Sequence, residues 1–166
     1  MKYFTALVSA RPGDPYQPNR QQMYLRALRT IPNLEIIYGH FLEHAIMMPL
    51  ADPPQSGSKY VRVIKTEEKG SDVNLAAHLI NDGHNEAYQV AVIVSNDSDL
   101  VEPVKIVCQE LKRPVDILNP IPRHPSHELR KHATFVKPIR KGVLAASQFP
   151  STLKDSTGVF SKPSTW

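Results

Sequence analysis

Apolar residues change their spacing several times along the chain, and each change marks a new element. Residues 3–8 (Tyr-Phe-Thr-Ala-Leu-Val) read as an opening strand. Over 19–30, Met23, Leu25, Ala27 and Leu28 fall inside, with Arg20, Arg26 and Arg29 outside. That is an amphipathic helix, stopped by Pro32 and Asn33. Imperfect alternation over 34–42, with Ile36, Ile37 and Tyr38, predicts a strand. Residues 49–58 are too rich in turn formers for regular structure and predict an exposed loop. A short strand follows at Tyr60–Ile64, then a charged segment from Lys65 to Lys69. Val73, Ala76, Ala77 and Ile80 then recur at helical spacing, with Ser71 placed to cap the helix and Asp72 in its first turn.

Residues 90–94 are five consecutive apolar residues, which suits a central parallel strand covered on both faces. Val101, Val104, Cys108 and Leu111 mark the next helix, where Pro103 is tolerable only in the first turn. Val115–Leu118 predicts another strand, 126–132 a short helix and Thr134–Val136 a final strand. Residues 147–166 carry Pro, Ser and Thr with little periodicity and predict an extended or partly disordered tail. The alternation over residues 1–146 predicts one three-layer α/β/α domain with a mainly parallel sheet.

Composition sharpens this picture only slightly. The 166 residues are 41% hydrophobic and 22% charged, ordinary for a globular domain. No apolar run of about 18 residues exists, so no transmembrane helix is expected. The short apolar stretch at the amino terminus reads as strand rather than signal peptide, and cytoplasmic location is the expectation. Cys108, the single cysteine, has no partner for an internal disulfide and reads as a core residue. A net charge of +4 is too mild to establish a nucleic-acid partner by itself. Of the fifteen prolines, eleven gather at 12–18, 49–54, 120–125 and 150–163, which places loops there.

The chemistry is concentrated after residue 94. Asp97 and Asp99 follow the apolar strand, separated by one serine. Ligands in open α/β sheets bind at the carboxyl ends of strands. Two crowded carboxylates there call for a shared proton or a cation, and oxygen ligands suit Mg²⁺ or Mn²⁺. Asp72 begins the preceding helix and belongs to the same sheet edge, while Lys65 and Lys69 flank it in sequence as candidate phosphate contacts. Helix capping alone accounts for Asp72 or Asp99 about as well, whereas the pair Asp97 and Asp99 favours function. His124, His127 and His132, and the pair His40 and His44, read as exposed histidines rather than zinc ligands. Tyr16, Tyr24 and Trp166 are aromatic candidates for base stacking, with packing or plain exposure the simpler reading.

Lys-Gly-Ser-Asp-Val-Asn-Leu-Ala at 69–76, followed by Val-Ala-Val-Ile-Val-Ser-Asn-Asp-Ser-Asp-Leu at 90–100, resembles the NYN domain of the PIN-like ribonuclease group. The resemblance implies a Rossmann-like PIN fold and metal-dependent cleavage of RNA. It implies Asp72, Asp97 and Asp99 as acids holding Mg²⁺ or Mn²⁺, with Ser95 supporting the loop and Asn74 a weaker candidate. The family usually opens with a strand bearing a further aspartate. This chain begins at what resembles the second strand, and its first acid is Asp14 in a proline-rich loop. Such an open sheet edge makes a homodimer an expectation. The rival reading is a non-catalytic nucleic-acid-binding or regulatory relative with an incomplete acid set. A phosphatase using Asp-x-Asp after a strand is a third, disfavoured because its strand normally lies near the amino terminus.

Overall fold

The computed structural model describes residues 1–11, 13–121 and 125–164. Pro12, Pro122, His124 and Trp166, named above, lie outside the described residues. The chain divides into two compact units, Met1–Ser71 and Asp72–Trp166.

In the first unit, strand β1 (Lys2–Ala6) is followed by helix α1 (Gln17–Leu28) and strand β2 (Glu35–Pro49). β1 and β2 pair in parallel, from Lys2 opposite Glu35 to Ala6 opposite Gly39. The crossover helix buries Leu25, Ala27 and Leu28. Gln21 fastens it to the strand exit, accepting from the Val8 N–H at 2.9 Å and donating to the Ala6 carbonyl at 2.7 Å. The Tyr3 and Tyr24 rings meet edge to face, 6.2 Å between centroids, so Tyr24 is a packing residue. Tyr16 is exposed.

β2 continues well past the predicted end at residue 42. Strand β3 (Tyr60–Lys69) pairs with it antiparallel, from His40 opposite Lys69 to Pro49 opposite Tyr60. The charged segment Lys65–Lys69 is therefore strand, because its backbone completes the antiparallel ladder with β2. Gly39 sits at the change of partner, where an added Cβ would run into the Lys69 carbonyl. His40 and His44 stand on this strand, opposite Lys69 and Lys65. The connection 50–59 is irregular, as its turn formers predict.

The second unit opens with helix α2 (Ser71–His84) and strand β4 (Ala91–Val94). A 3₁₀ turn (Ser98–Leu100) leads into helix α3 (Val101–Lys105), whose continuation, Ile106–Glu110, is wound as a π-helix. Then come strand β5 (Val115–Asn119), helix α4 (His127–His132) and strand β6 (Phe135–Pro138). β4, β5 and β6 form an all-parallel sheet in that order. Leu79 of α2, Leu100, Val104 and Val107, and Leu129 of α4 cluster on Ala91, Ile93, Val115 and Ile117. Cys108 packs against that cluster, partly buried, as its helix position predicts.

The second face of this sheet differs from expectation. Val92 and Val94 are 57% and 59% exposed, so β4 is covered on one face only. Their neighbours in register are Asp116 and Leu118 on β5, then Phe135 and Lys137 on β6. The Lys137 ammonium lies 4.8 Å from the Phe135 ring centre.

Helix α5 (Lys141–Ala146) follows, and the predicted tail contains a hairpin of β7 (Thr152–Asp155) and β8 (Gly158–Ser161). Asp155 accepts from both the backbone N–H (2.9 Å) and the hydroxyl (2.7 Å) of Thr157, and Gly158 takes φ +126°, which closes the turn. Phe160 is buried. The mixed α/β class thus stands, with three separate sheets rather than one among the described residues. Among the described residues, no helix is long and apolar enough to cross a membrane.

Candidate functional site

The loop leaving β4 is organised by its own side chains. Ser95 Oγ accepts from the Asp97 N–H at 3.0 Å, and Asp97 Oδ1 accepts from the Asp99 N–H at 3.0 Å. Asp97 is therefore the cap of the 3₁₀ turn, its backbone extended at φ −79° and ψ 125°. Ser95 is thus bonded to Asp97 within the loop. Asp99 stands exposed in the first turn of the helix, where the backbone dipole favours a negative charge. Asn96 Oδ1 accepts from the Ser126 N–H at 2.7 Å, and Ser126 caps α4 through the Leu129 N–H. The acidic loop is thereby tied to the next crossover.

Asp72 reaches the same end of the sheet by a different route. Just ahead of β5, Arg113 donates from Nε to the Gly83 carbonyl and from Nη1 to the Tyr88 carbonyl, each at 3.0 Å. Its remaining nitrogen pairs with Glu86 at 3.0 Å. The last turn of α2 is thus held at the amino end of the strands. At 1.5 Å per residue its 14 residues span about 21 Å, with Leu75, Ala76, Leu79 and Ile80 along the core. The first turn, with Asp72 and Asn74, consequently points toward the carboxyl end, where Asp97 and Asp99 sit. Ser71 opens the helix as its first residue, its hydroxyl donating to Glu68 rather than capping.

Sharing an edge is not the same as forming a ligand shell. Among the described residues, no three His, Cys, Asp or Glu side chains are grouped to hold a metal ion. Asp72, Asp97 and Asp99 have the oxygen chemistry a hard cation requires, but not a preformed three-ligand geometry.

Lys65 and Lys69 belong to β3 in the first unit. Glu67 pairs with both, at 2.6 Å and 3.5 Å. The Lys65 ammonium, hydrogen-bonded to Glu67, holds that carboxyl below its usual range. A phosphate reaching either lysine would compete with this pairing. Arg20 is likewise engaged, with Asp14, whose carboxyl it lowers by hydrogen bonding; Arg29 donates to the Tyr38 hydroxyl at 2.7 Å.

Two polar residues at this sheet escaped the sequence reading. Asn119, only 1% exposed at the end of β5, accepts from the Ile121 N–H at 2.8 Å and turns the chain away from the edge. Asp116 has a carboxylate oxygen, Oδ1, buried without a hydrogen-bond partner. A polar residue between Val115 and Ile117 is the available signal, and it reads equally well as a solvent-facing strand position.

No model of a known protein family matches the chain. It is 31% identical to 6-hydroxy-3-succinoylpyridine 3-monooxygenase HspA of Pseudomonas putida, the similarity covering all of this chain and 57% of that protein. The chain thus spans little more than half the length of this relative. Among solved structures, a protein of unknown function from Vibrio parahaemolyticus matches with a TM-score of 0.51 at 18% identity, over 82% of this chain and 67% of its own. That likeness concerns the fold alone.

Proposed function

We propose that the chain is an NYN-type domain of the PIN-like group, acting as a ribonuclease that depends on Mg²⁺ or Mn²⁺. The observation that carries this reading is the placement of Asp97 and Asp99 in the loop after β4, with the first turn of α2 and Asp72 directed to the same sheet edge. Three carboxylates at one edge repel a phosphodiester backbone, so an anionic substrate is accepted there only together with a cation. A bound cation would supply charge stabilisation for phosphodiester cleavage. The protein's part is to hold the acids: Asp97 fixes the loop through the Asp99 N–H, and Ser95 fixes Asp97. Lys65 and Lys69 are proposed phosphate contacts, each giving up its pairing with Glu67. The finer architecture, a three-layer Rossmann-like sandwich, belongs to the same proposal. The exposed Val92 and Val94 supply the apolar face that a further layer would cover.

The test is Mn²⁺-dependent cleavage of a labelled single-stranded RNA by the chain and by its Asp97→Asn/Asp99→Asn variant. Cleavage abolished in the variant, with an unchanged circular dichroism spectrum, is the expected result. RNA binding without cleavage in either protein favours the non-catalytic relative instead.

A second reading rests on the relative. Identity of 31% along the whole chain supports a shared ancestry with a 6-hydroxy-3-succinoylpyridine monooxygenase, and hence a role in hydroxylating a pyridine. Oxygen- and reductant-dependent turnover of that pyridine, unaffected by RNA, would establish it against the nuclease.

A further inference from the structure

Charge is unevenly distributed along the chain. Residues 129–154 carry six of the twenty lysines and arginines and no acid, while the other residues hold fourteen cations against sixteen acids. The net positive charge of the protein therefore resides in this stretch, which runs through β6 and α5.

β6 brings part of it to the edge that carries the acidic loop. β4, β5 and β6 are parallel neighbours, so the chain leaves all three at the same edge. The Ile139 N–H donates to the Asn119 carbonyl at 2.9 Å, which carries the β5–β6 contact one residue past Pro138. Arg140 follows at once, extended at φ −79° and ψ 143°, with Lys141 after it, and both are exposed. Lys137 is exposed on the uncovered face, in register with Leu118 and Val94, its ammonium beside the half-exposed ring of Phe135. With neighbouring strands about 4.8 Å apart, the ends of β4 and β6 lie roughly 10 Å from each other.

Lys105, Arg113 and Lys131 of the same unit each pair with a carboxylate. Lys137, Arg140 and Lys141 form no ion pair among the described residues. Gathered like charges contribute nothing to folding, whereas a polyanion that meets them releases its counterions. An exposed ring beside a cation further suits a single-stranded nucleic acid, which stacks a base on the one and sets its backbone against the other. An acidic protein surface would use the charge and leave the ring idle.

We propose that Lys137, Arg140 and Lys141 hold an RNA strand along β6, meeting phosphates a few nucleotides from the bond presented to Asp97 and Asp99. The inference rests on the ribonuclease reading and adds to it the path of the substrate.

Fluorescence anisotropy of a labelled single-stranded RNA tests it, in the Asp97→Asn/Asp99→Asn background so that cleavage does not intervene. Lys137→Ala/Arg140→Ala/Lys141→Ala is expected to weaken binding at least about tenfold and to flatten the slope of log affinity against log salt by roughly 2, at about 0.7 per contact. Lys112→Ala/Arg130→Ala/Lys131→Ala removes the same formal charge at the opposite, amino-terminal edge of the strands and is expected to keep the slope. Circular dichroism reports on folding of each variant. Equal losses in the two variants, or none in the first, overturn the proposal. So does polyglutamate that displaces the probe as well as unlabelled RNA of equal charge. Where the unsubstituted chain still cleaves RNA, those results leave the ribonuclease reading standing; a chain that neither binds nor cleaves RNA removes both.

Discussion

At the scale of single residues, the structure separates side chains that shape the acidic loop from those that only occupy it. Asp97 caps the 3₁₀ turn, so Asp97→Ala should cost about 1 kcal/mol in chemical denaturation. Asp97→Asn should cost only a few tenths, because an amide oxygen accepts the same bond. That contrast makes Asn the useful probe of chemistry at this position. Gly83 and Tyr88 form a second instructive pair. Alanine at 83 would gain up to about 1 kcal/mol in helix propensity. Its Cβ, however, would lie 2.6 Å from the Tyr88 hydroxyl, itself anchored to the Leu79 carbonyl at 2.7 Å. The clash should win, for a net loss of about 1–3 kcal/mol, and Tyr88→Phe in the same chain should recover most of it. Burial pushes the Tyr88 phenol above its ordinary value, with Asp82 adding to the effect. The unfolded chain therefore ionises first: stability is complete below about pH 10 and declines as pH rises through the folded-state value. Tyr88→Phe should show a shallower alkaline decline, read from unfolding midpoints between neutral and strongly alkaline pH.

At the scale of elements, the second unit was largely legible in the sequence. Its strands and helices follow from spacings that are strictly local: Val-Ala-Val-Ile-Val before an acidic turn, and Val101, Val104 and Cys108 on one helix face. What the spacings leave open is which face finds a neighbour, and Val92 and Val94 show how a fully apolar run can be covered on one side only. The β2–β3 ribbon was missed for a related reason. Its residues 43–49 and 65–69 become strand through pairing with each other, a long-range condition invisible to a local window. The hairpin in the tail depends on Gly158 and an Asp155 turn that composition obscured. The acids were legible as residue types; whether their side chains gather depends on long-range packing that no local spacing encodes, and no three such side chains group to hold a metal ion among the described residues. On β5, Ile117→Ala should cost about 2–5 kcal/mol, since Ile117 is fully buried between the helices and the sheet. Asp116→Val on the same strand should instead stabilise by about 1 kcal/mol, by removing an oxygen desolvated without a partner and adding a better strand former. Equilibrium urea unfolding of the two variants tests both signs.

At the scale of the whole molecule, net charge and salt decide how an anionic partner is met. If the chain binds RNA as proposed, with a formal charge of +4 that binding should weaken steadily with ionic strength. If Lys65 and Lys69 each meet a phosphate, Lys65→Ala/Lys69→Ala should flatten the slope of log affinity against log salt by roughly 1.4, at about 0.7 per single-strand contact. An unchanged slope in fluorescence anisotropy would remove both lysines from the interface. One last feature bears on how the chain tolerates changes in its length. Ile106–Glu110 is wound with a wider turn than an α-helix, the Leu111 N–H donating to the Ile106 carbonyl five residues back at 3.1 Å. Such a turn holds one residue more than the regular helix needs. Excising a single codon there would convert the turn to ordinary winding and leave Leu111 and Arg113 facing nearly as before, because the regular turn covers the same arc with one residue fewer. The clamp of Arg113 on Gly83 and Tyr88 should survive that deletion, whereas a deletion within the regular winding of Val101–Lys105 would turn it out of reach.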